Sequence, residues 1–418
     1  MNVGFCVSMT PRRLLCFAGK FNLQKIVSRM EALAAQRGCG IERREEDIAV
    51  HFCPEGDLVF HPDEEAQMLK GSADSSIAGP GFHAAAADFC NALAGEARLA
   101  AVYEPGDPYC ERGDFEALRR AVFLPFLEEL LTTIEIEGGR RSEAICFAWP
   151  DDWYMLANAP ENHWYCPTGL FPCSVKALFD REPMAFLQDF FIWPNREKDT
   201  VYLRNLAMSD AWTRCAFHAG DPLCKEICRS LEKVAKEDPL LPFPRKLYLE
   251  LCGIVGRTPV VPEEIPEDTR FESVGFRKFP LLAPIGNWEI LIPGGFRREE
   301  QEDGAIRLVE PDRCIAASSA VCQVSPDEEE EFRTRMLGRR MSQHPDKVFM
   351  ENVLLGPDCR AELFRVNDWE HPFLLECRKI EPGGNLLSIM FNFKTRSEYE
   401  WGLDILKTAH CRDAVEEV

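Results

Sequence analysis

Thr258-Pro259-Val260-Val261-Pro262-Glu263-Glu264-Ile265-Pro266-Glu267-Asp268 carries three prolines and four acids. Proline lacks the donor that helices and inner strands use and biases the preceding residue toward extended backbone, so the run predicts an extended linker. The patterning differs on its two sides. Helical spacings dominate before it, and short strands broken by turns follow it. The chain is therefore expected to form two α+β domains: a helix-rich N-terminal domain over residues 1–257, a linker over 258–269, and a smaller C-terminal domain over 270–418. A linker with so little means of packing is expected to be cut by limited proteolysis, releasing a C-terminal fragment of about 150 residues.

Length and composition set further bounds. With 418 residues, 46% of them hydrophobic and 10% aromatic, the chain has ample material for two packed cores. Its formal net charge of -21 opposes a polyanion, and Arg12-Arg13 and Arg339-Arg340 are isolated basic pairs, so no nucleic-acid partner is expected. The 18 cysteines sit mostly in apolar runs such as Ile145-Cys146-Phe147 and Leu251-Cys252-Gly253, which predicts buried free thiols with no disulfide framework. The start is apolar before its basic pair, the reverse of a signal peptide, and no run approaches the roughly 18–20 apolar residues of a membrane span. A cytoplasmic protein without a membrane partner is the expectation.

In the N-terminal region, Asn2 to Ser8 reads as a strand and Asn22 as the cap of a helix carrying Leu23, Ile26, Val27, Met30, Leu33 and Ala34 at helical spacing. Asp47 to Phe52 and Asp57 to Phe60 form a hairpin around Cys53-Pro54-Glu55-Gly56. Gly71 to Gly81 reads as a flexible loop. It ends in Gly79-Pro80-Gly81-Phe82-His83, which opens a helix; Gly79, Gly81 and His83 form a candidate anion site, with plain chain geometry as the alternative. Leu99 to Tyr103 is a strand, Phe115 to Ile134 a helix that Pro125 kinks or divides, and Val201 to Leu206 a strand.

Beyond the linker, strands are expected at Glu272 to Phe279, Trp288 to Ile292, Ile306 to Val309, Cys314 to Ala320, Leu363 to Val366, Phe373 to Arg378 and Asn385 to Phe393. Ser325 and Pro326 open a helix whose acids, Asp327 to Glu331, precede its bases, Arg333 to Arg340, matching the helix dipole. Thr395 with Glu398 forms a capping box for a final helix. Pro293-Gly294-Gly295-Phe296-Arg297, Cys314-Ile315-Ala316-Ala317-Ser318 and the ending Leu386 to Phe393 before the Glu398 to Leu406 helix together resemble the PsbP-like fold. That family includes bacterial DcrB-type proteins and adaptor chaperones of type VI secretion effectors. The resemblance implies a central antiparallel sheet flanked by helices and supplies no catalytic residues.

Candidate chemistry concentrates in Ala144 to Val175. An apolar strand through Trp149 is expected to end at Pro150, followed by Asp151, Asp152, Trp153 and Tyr154 and then by His163, Trp164, Tyr165 and Cys166. The aromatics suit a partner-binding surface, since Trp and Tyr anchor interfaces, or else the edge of a core. Cys166 with His163 and an aspartate could make a nucleophile. His163, Cys166, Cys173, Cys215, His218, Cys224 and Cys228 form a candidate zinc set whose spacing matches no known finger, so buried free thiols are the competing reading. No phosphate loop, dinucleotide fingerprint, HExxH or GxSxG occurs, and no cofactor is expected. These features predict an adaptor, chaperone-like or immunity-type factor that binds another protein, with a hydrolase-like enzyme as the alternative.

Overall fold

The computed structural model describes residues 3–14, 17–18, 21–44, 46–138, 145–146, 155–156, 164–171, 182–268, 274–300, 305–338, 346–354 and 356–412. The architecture is mixed α+β. Contacts divide the chain into two compact units, Met1–Ala148 with Ala159–Gly275, and Trp149–Asn158 with Phe276–Val418.

The first unit contains a six-stranded antiparallel sheet. Its strands are β1 (Gly4–Pro11), β2 (Gly40–Arg43), β3 (Ile48–Cys53), β4 (Gly56–Asp63), β5 (Met68–Asp74) and β6 (Leu99–Tyr103), in the order β2-β3-β4-β5-β1-β6. Alternation along β1 turns Phe5, Val7 and Met9 to the core, as a period of two requires. Helix α1 (Leu23–Arg37) starts at Asn22, whose Oδ1 accepts from the Lys25 N–H at 3.0 Å, and buries Ile26, Val27, Met30, Leu33 and Ala34. Helix α2 (Pro80–Ala97) buries Phe82, Ala86, Phe89 and Leu93, with Phe52 edge-on to both Phe82 and Phe89.

Three local expectations change here. The expected loop from Gly71 is strand as far as Asp74, because Gly71 sits where a Cβ would lie 2.9 Å from Val7 and 3.0 Å from Phe60. The expected helix from Phe115 continues past Pro125, but a π turn over Arg119–Phe123 precedes α4 (Leu124–Gly138), reached through the short α3 (Pro108–Arg112) and Phe115–Leu118. Pro125 thus lies inside a continuous helical run, directly after the π turn, whose wider spacing is where the missing N–H is accommodated. Val201 to Leu206 is helical, within α6 (Thr200–Ser209), which follows α5 (Pro183–Phe190). Asp199 caps α6 by accepting the Tyr202 N–H at 2.9 Å, and that local cap with burial of Tyr202, Asn205 and Met208 overrides the β-preference of Val201 and Tyr202.

Helices α7 (Pro222–Glu237) and α8 (Arg245–Ile254) complete the unit, and the proline-rich run packs against them. The Phe243 N–H donates to Pro266 O, the Asp268 N–H donates to Phe243 O, and the Val260 N–H donates to Tyr248 Oη. Arg245 donates to the carbonyls of Pro262 and Ile265. Ile265 and Asp268 are buried. The run is therefore a strap on the first unit, held by polar backbone contacts that hydropathy does not register, and the division between units falls after Gly275.

The second unit carries a seven-stranded antiparallel sheet. After β7 (Leu281–Ile285) and β8 (Trp288–Ile292), which pair with each other, come β9 (Arg297–Glu300), β10 (Ile306–Glu310), β11 (Arg313–Val321), helix α9 (Glu329–Gly338), β12 (Lys347–Leu354), β13 (Cys359–Val366), β14 (Phe373–Glu381), β15 (Asn385–Phe393) and helix α10 (Tyr399–Thr408). The sheet order is β9-β10-β11-β15-β14-β13-β12. Ser325–Glu328 and Thr395–Glu398 both form capping boxes. Of the strand expected at Glu272 to Phe279, the Phe276–Lys278 part is a single 3₁₀ turn, and residues 269–273 lie outside the described ones.

The two helices take opposite faces of this sheet. Gly402 of α10 lies where a Cβ would be 3.0 Å from Phe391 and 3.1 Å from Leu375, while Phe332 of α9 clusters with Ile380 and Leu386. Odd and even positions on one strand point to opposite faces. Arg360 and Arg378 donate to the Leu337 and Met336 carbonyls at the end of α9, satisfying orphan acceptors with positive charge at the negative end of the dipole. Among the described residues, no helix is long and apolar enough to cross a membrane.

Candidate functional site

Asp151, Asp152, Trp153, Tyr154, His163 and Cys173 lie outside the described residues, as does most of the strand expected before Pro150; Ile145–Cys146 is strand. Trp164 and Tyr165 belong to a short strand ending at Cys166, which pairs in parallel with Ile145–Cys146. Cys166 is buried, with Sγ 3.1 Å from Thr168 Oγ1, and burial pushes its thiol up to about 12, so at neutral pH it is a protonated thiol with little nucleophilic character.

At the start of α2 the backbone donors are already engaged. Gly79 N–H donates to Ser75 O, Gly81 N–H to Trp193 O and His83 N–H to Gly79 O, at 2.8, 2.8 and 3.1 Å. Gly79 has φ +100°, and a Cβ on Gly81 would meet Trp193 Cδ1 at 2.1 Å. Both glycines therefore serve close approach of the chain to itself, with Trp193 where an anion would sit.

His83 instead organises a buried polar centre. Its Nδ1 is 3.2 Å from Ser75 Oγ, and its Nε2 is 2.9 Å from Asp107 Oδ2, off the line of a straight hydrogen bond. Phe5 and Phe123 enclose the ring edge-on. Asp107 caps α3 through the Tyr109 and Cys110 N–H groups, and Cys110 joins His83 and Asp107 in a potential ligand cluster. The order Ser, His, Asp resembles a hydrolytic triad in composition only, because Ser75 and His83 are fully buried and offer a substrate no approach. Burial works to raise the Asp107 pKa, but His83 and the Cys110 N–H outweigh it and hold the carboxyl below its usual range. A lowered folded value means that its stabilisation is complete above the unfolded value near about 4 and is lost as pH falls through the folded value. Asp107→Asn keeps a good cap but removes the charge, so its loss in melting temperature should be largest at neutral pH and shrink toward pH ~3. Melts across that range check this; a constant difference would refute it.

The expected zinc set is partly assembled. Cys215 and Cys224 are brought together, Sγ to Sγ 3.5 Å, beside Asp221, whereas Cys228 faces Cys252 at 4.0 Å. His218 Nδ1 accepts the Gly220 N–H at 3.2 Å. The Cys252 partnership joins different helices, so no local spacing reveals it.

A surface feature absent from the sequence expectations lies on the second unit. Strand β12 is an outer strand of the seven-stranded sheet, and no described strand pairs with its far side. Val348, Phe349 and Met350 are consecutive and exposed (64%, 48% and 36%), and Trp369, in the adjoining β13–β14 turn, is 89% exposed. The pairing with β13 shifts between Phe349 and Glu351, a bulge that lets successive side chains all reach solvent. The opposite outer strand, β9, reads Arg297-Arg298-Glu299-Glu300, the charged composition that blocks edge pairing. The consecutive Val-Phe-Met was a legible signal, since strict alternation would have set one of the three toward a core.

Compared with known proteins, the chain matches no family model and no curated sequence.

Proposed function

We propose that this chain is a protein-binding adaptor that captures an extended segment of another protein along the outer edge of β12. The single observation that carries this reading is the contrast between the two edges of one sheet: one charged, the other apolar, bulged and unpaired by any described strand. Main-chain groups of β12 supply affinity by strand addition, while Val348, Phe349, Met350 and Trp369 supply apolar contacts. The seven-stranded sheet with a helix on each face supports assigning the second unit to the PsbP-like fold, in which adaptor chaperones occur. The partner is another protein, and an acidic chain of net charge -21 favours a segment that is not itself acidic.

The test is selection of extended peptides from a random library on the full chain, followed by binding to Val348→Lys and Met350→Pro variants. Val348 is exposed, so its replacement should change stability by less than about 1 kcal/mol, and Met350 falls at the bulge with no partner in the register, where a proline costs the ladder least. Binding should fall more than about tenfold, because an edge Lys or Pro blocks strand addition. Amide exchange at Lys347–Leu354 should slow when wild-type protein binds peptide. Selected peptides that bind both variants equally would sink the proposal.

A further inference from the structure

The first unit contains two close thiol pairs in different settings. Cys215 follows the π turn Asp210–Arg214, where its N–H donates to Asp210 O, and its Sγ lies 3.5 Å from Cys224 Sγ. Cys224 occupies the third position of α7, a helix of 16 residues whose N-cap, Asp221, accepts from the Leu223 and Ala216 N–H groups. Thiolates are stabilised at helix N-termini. Cys228 and Cys252, 4.0 Å apart, lie within α7 and α8, away from any helix start. We propose that Cys215 and Cys224 are an oxidisable dithiol that closes to a reversible disulfide on reaction with a peroxide.

The chemistry balances with hydrogen peroxide as the oxidant. The Cys224 thiolate attacks one peroxide oxygen, breaking the O–O bond and giving a sulfenic acid and hydroxide. The Cys215 sulfur then attacks the Cys224 sulfur, forming the S–S bond and expelling the sulfenic oxygen as a second hydroxide. The two thiol protons convert both hydroxides to water, so two thiols lose two electrons and one peroxide becomes two waters. Cys224, in the first turn of α7, sits where a thiolate is stabilised, which makes it the attacking sulfur and leaves Cys215, outside the helix, as the resolving one.

Both sulfurs are buried, but only the short segment Ala216–Gly220 separates Cys215 from the α7 cap. Within it Ala219 and Gly220 are exposed, and Phe217 holds φ +53°, a left-handed conformation unfavourable for an aromatic residue. A small neutral oxidant needs only a local opening of this segment.

The full chain, reduced and freed of reductant, would be exposed to hydrogen peroxide, quenched with N-ethylmaleimide, digested and analysed by mass spectrometry. The Cys215–Cys224 cross-link should appear about tenfold faster than any Cys228–Cys252 cross-link and vanish on treatment with dithiothreitol. In Cys215→Ser, Cys224 should persist as a sulfenic acid that dimedone traps. Equal rates at the two pairs, or full alkylation of Cys215 and Cys224 after peroxide, would overturn the proposal. So would about one equivalent of zinc per chain in the purified protein, lost in Cys224→Ser. The wild-type arm stands even where a variant folds poorly.

Discussion

Arg204→Met is expected to destabilise the first unit by about 3–5 kcal/mol, the usual cost of removing one partner from a buried ionic cluster. Arg204 is 2% exposed and lies between two buried acids, 3.1 Å from Asp189 and 3.6 Å from Asp268. Its Nε and Nη2 also donate to Asn205 Oδ1, while Asn205 Nδ2 donates to the carbonyls of Gln188 and Phe191. One guanidinium therefore joins the end of α5, the body of α6 and the end of the strap. Methionine fills much of the same volume, so the loss would come from charge and hydrogen bonding. Two carboxylates would be left in a site that water does not reach. Adding Asp189→Asn and Asp268→Asn to Arg204→Met should recover part of the loss, since the neutral amides no longer need a cation. Urea denaturation of the wild type, Arg204→Met and the triple variant measures this. A loss below about 1 kcal/mol would mean that the cluster is far wetter than its burial implies.

The same substitution bears on the strap. Thr258 to Asp268 should resist protease in the wild-type chain and become a cleavage site in Arg204→Met, because the buried ion pair between Arg204 and Asp268 is lost. Cleavage of the wild type within Val260–Ile265 at native conditions would refute the packing described for it.

Trp288→Ala is expected to cost the second unit about 3–5 kcal/mol, the range for truncating a buried tryptophan. Trp288 is fully buried on β8, opposite Ile285 of β7. Its removal would leave a cavity that the strand backbone cannot close without breaking the β7–β8 ladder. Native-state hydrogen exchange should lose protection through Leu281–Ile292 and Tyr399–Thr408, while Gly4–Pro11 and Pro80–Ala97 retain theirs. Uniform loss across both groups would contradict the division into two compact units.

Much of the local structure was legible in the sequence. Asn22 before a 3.6-residue apolar stripe, Ser325 followed by Pro326, and the Thr395–Glu398 box all formed helix starts as their spacing predicts. Trp288–Ile292 and Asn385–Phe393 are strands with the predicted bounds. These signals are local: cap, periodicity and turn chemistry act within a few residues and need no distant partner. Val201 to Leu206 reads as a strand because Val201 and Tyr202 favour strands, and only burial of Arg204 and Asn205 against distant acids and carbonyls explains the polar, inward face of the helix it forms.

What the sequence by itself determined is therefore the mixed α+β class, the change of patterning between its two parts and several helix starts. Tertiary structure alone decided that the strap packs against the first unit, that Gly79 and Gly81 serve contact with Phe191 and Trp193, and that Cys215 meets Cys224 while Cys228 meets Cys252. It also decided that Val348-Phe349-Met350 lies on an outer strand with no described strand on its far side. The physical reason is range. Propensity and periodicity are properties of neighbours in sequence, whereas edge position, thiol pairing and ion burial depend on which distant strands and helices become neighbours in space.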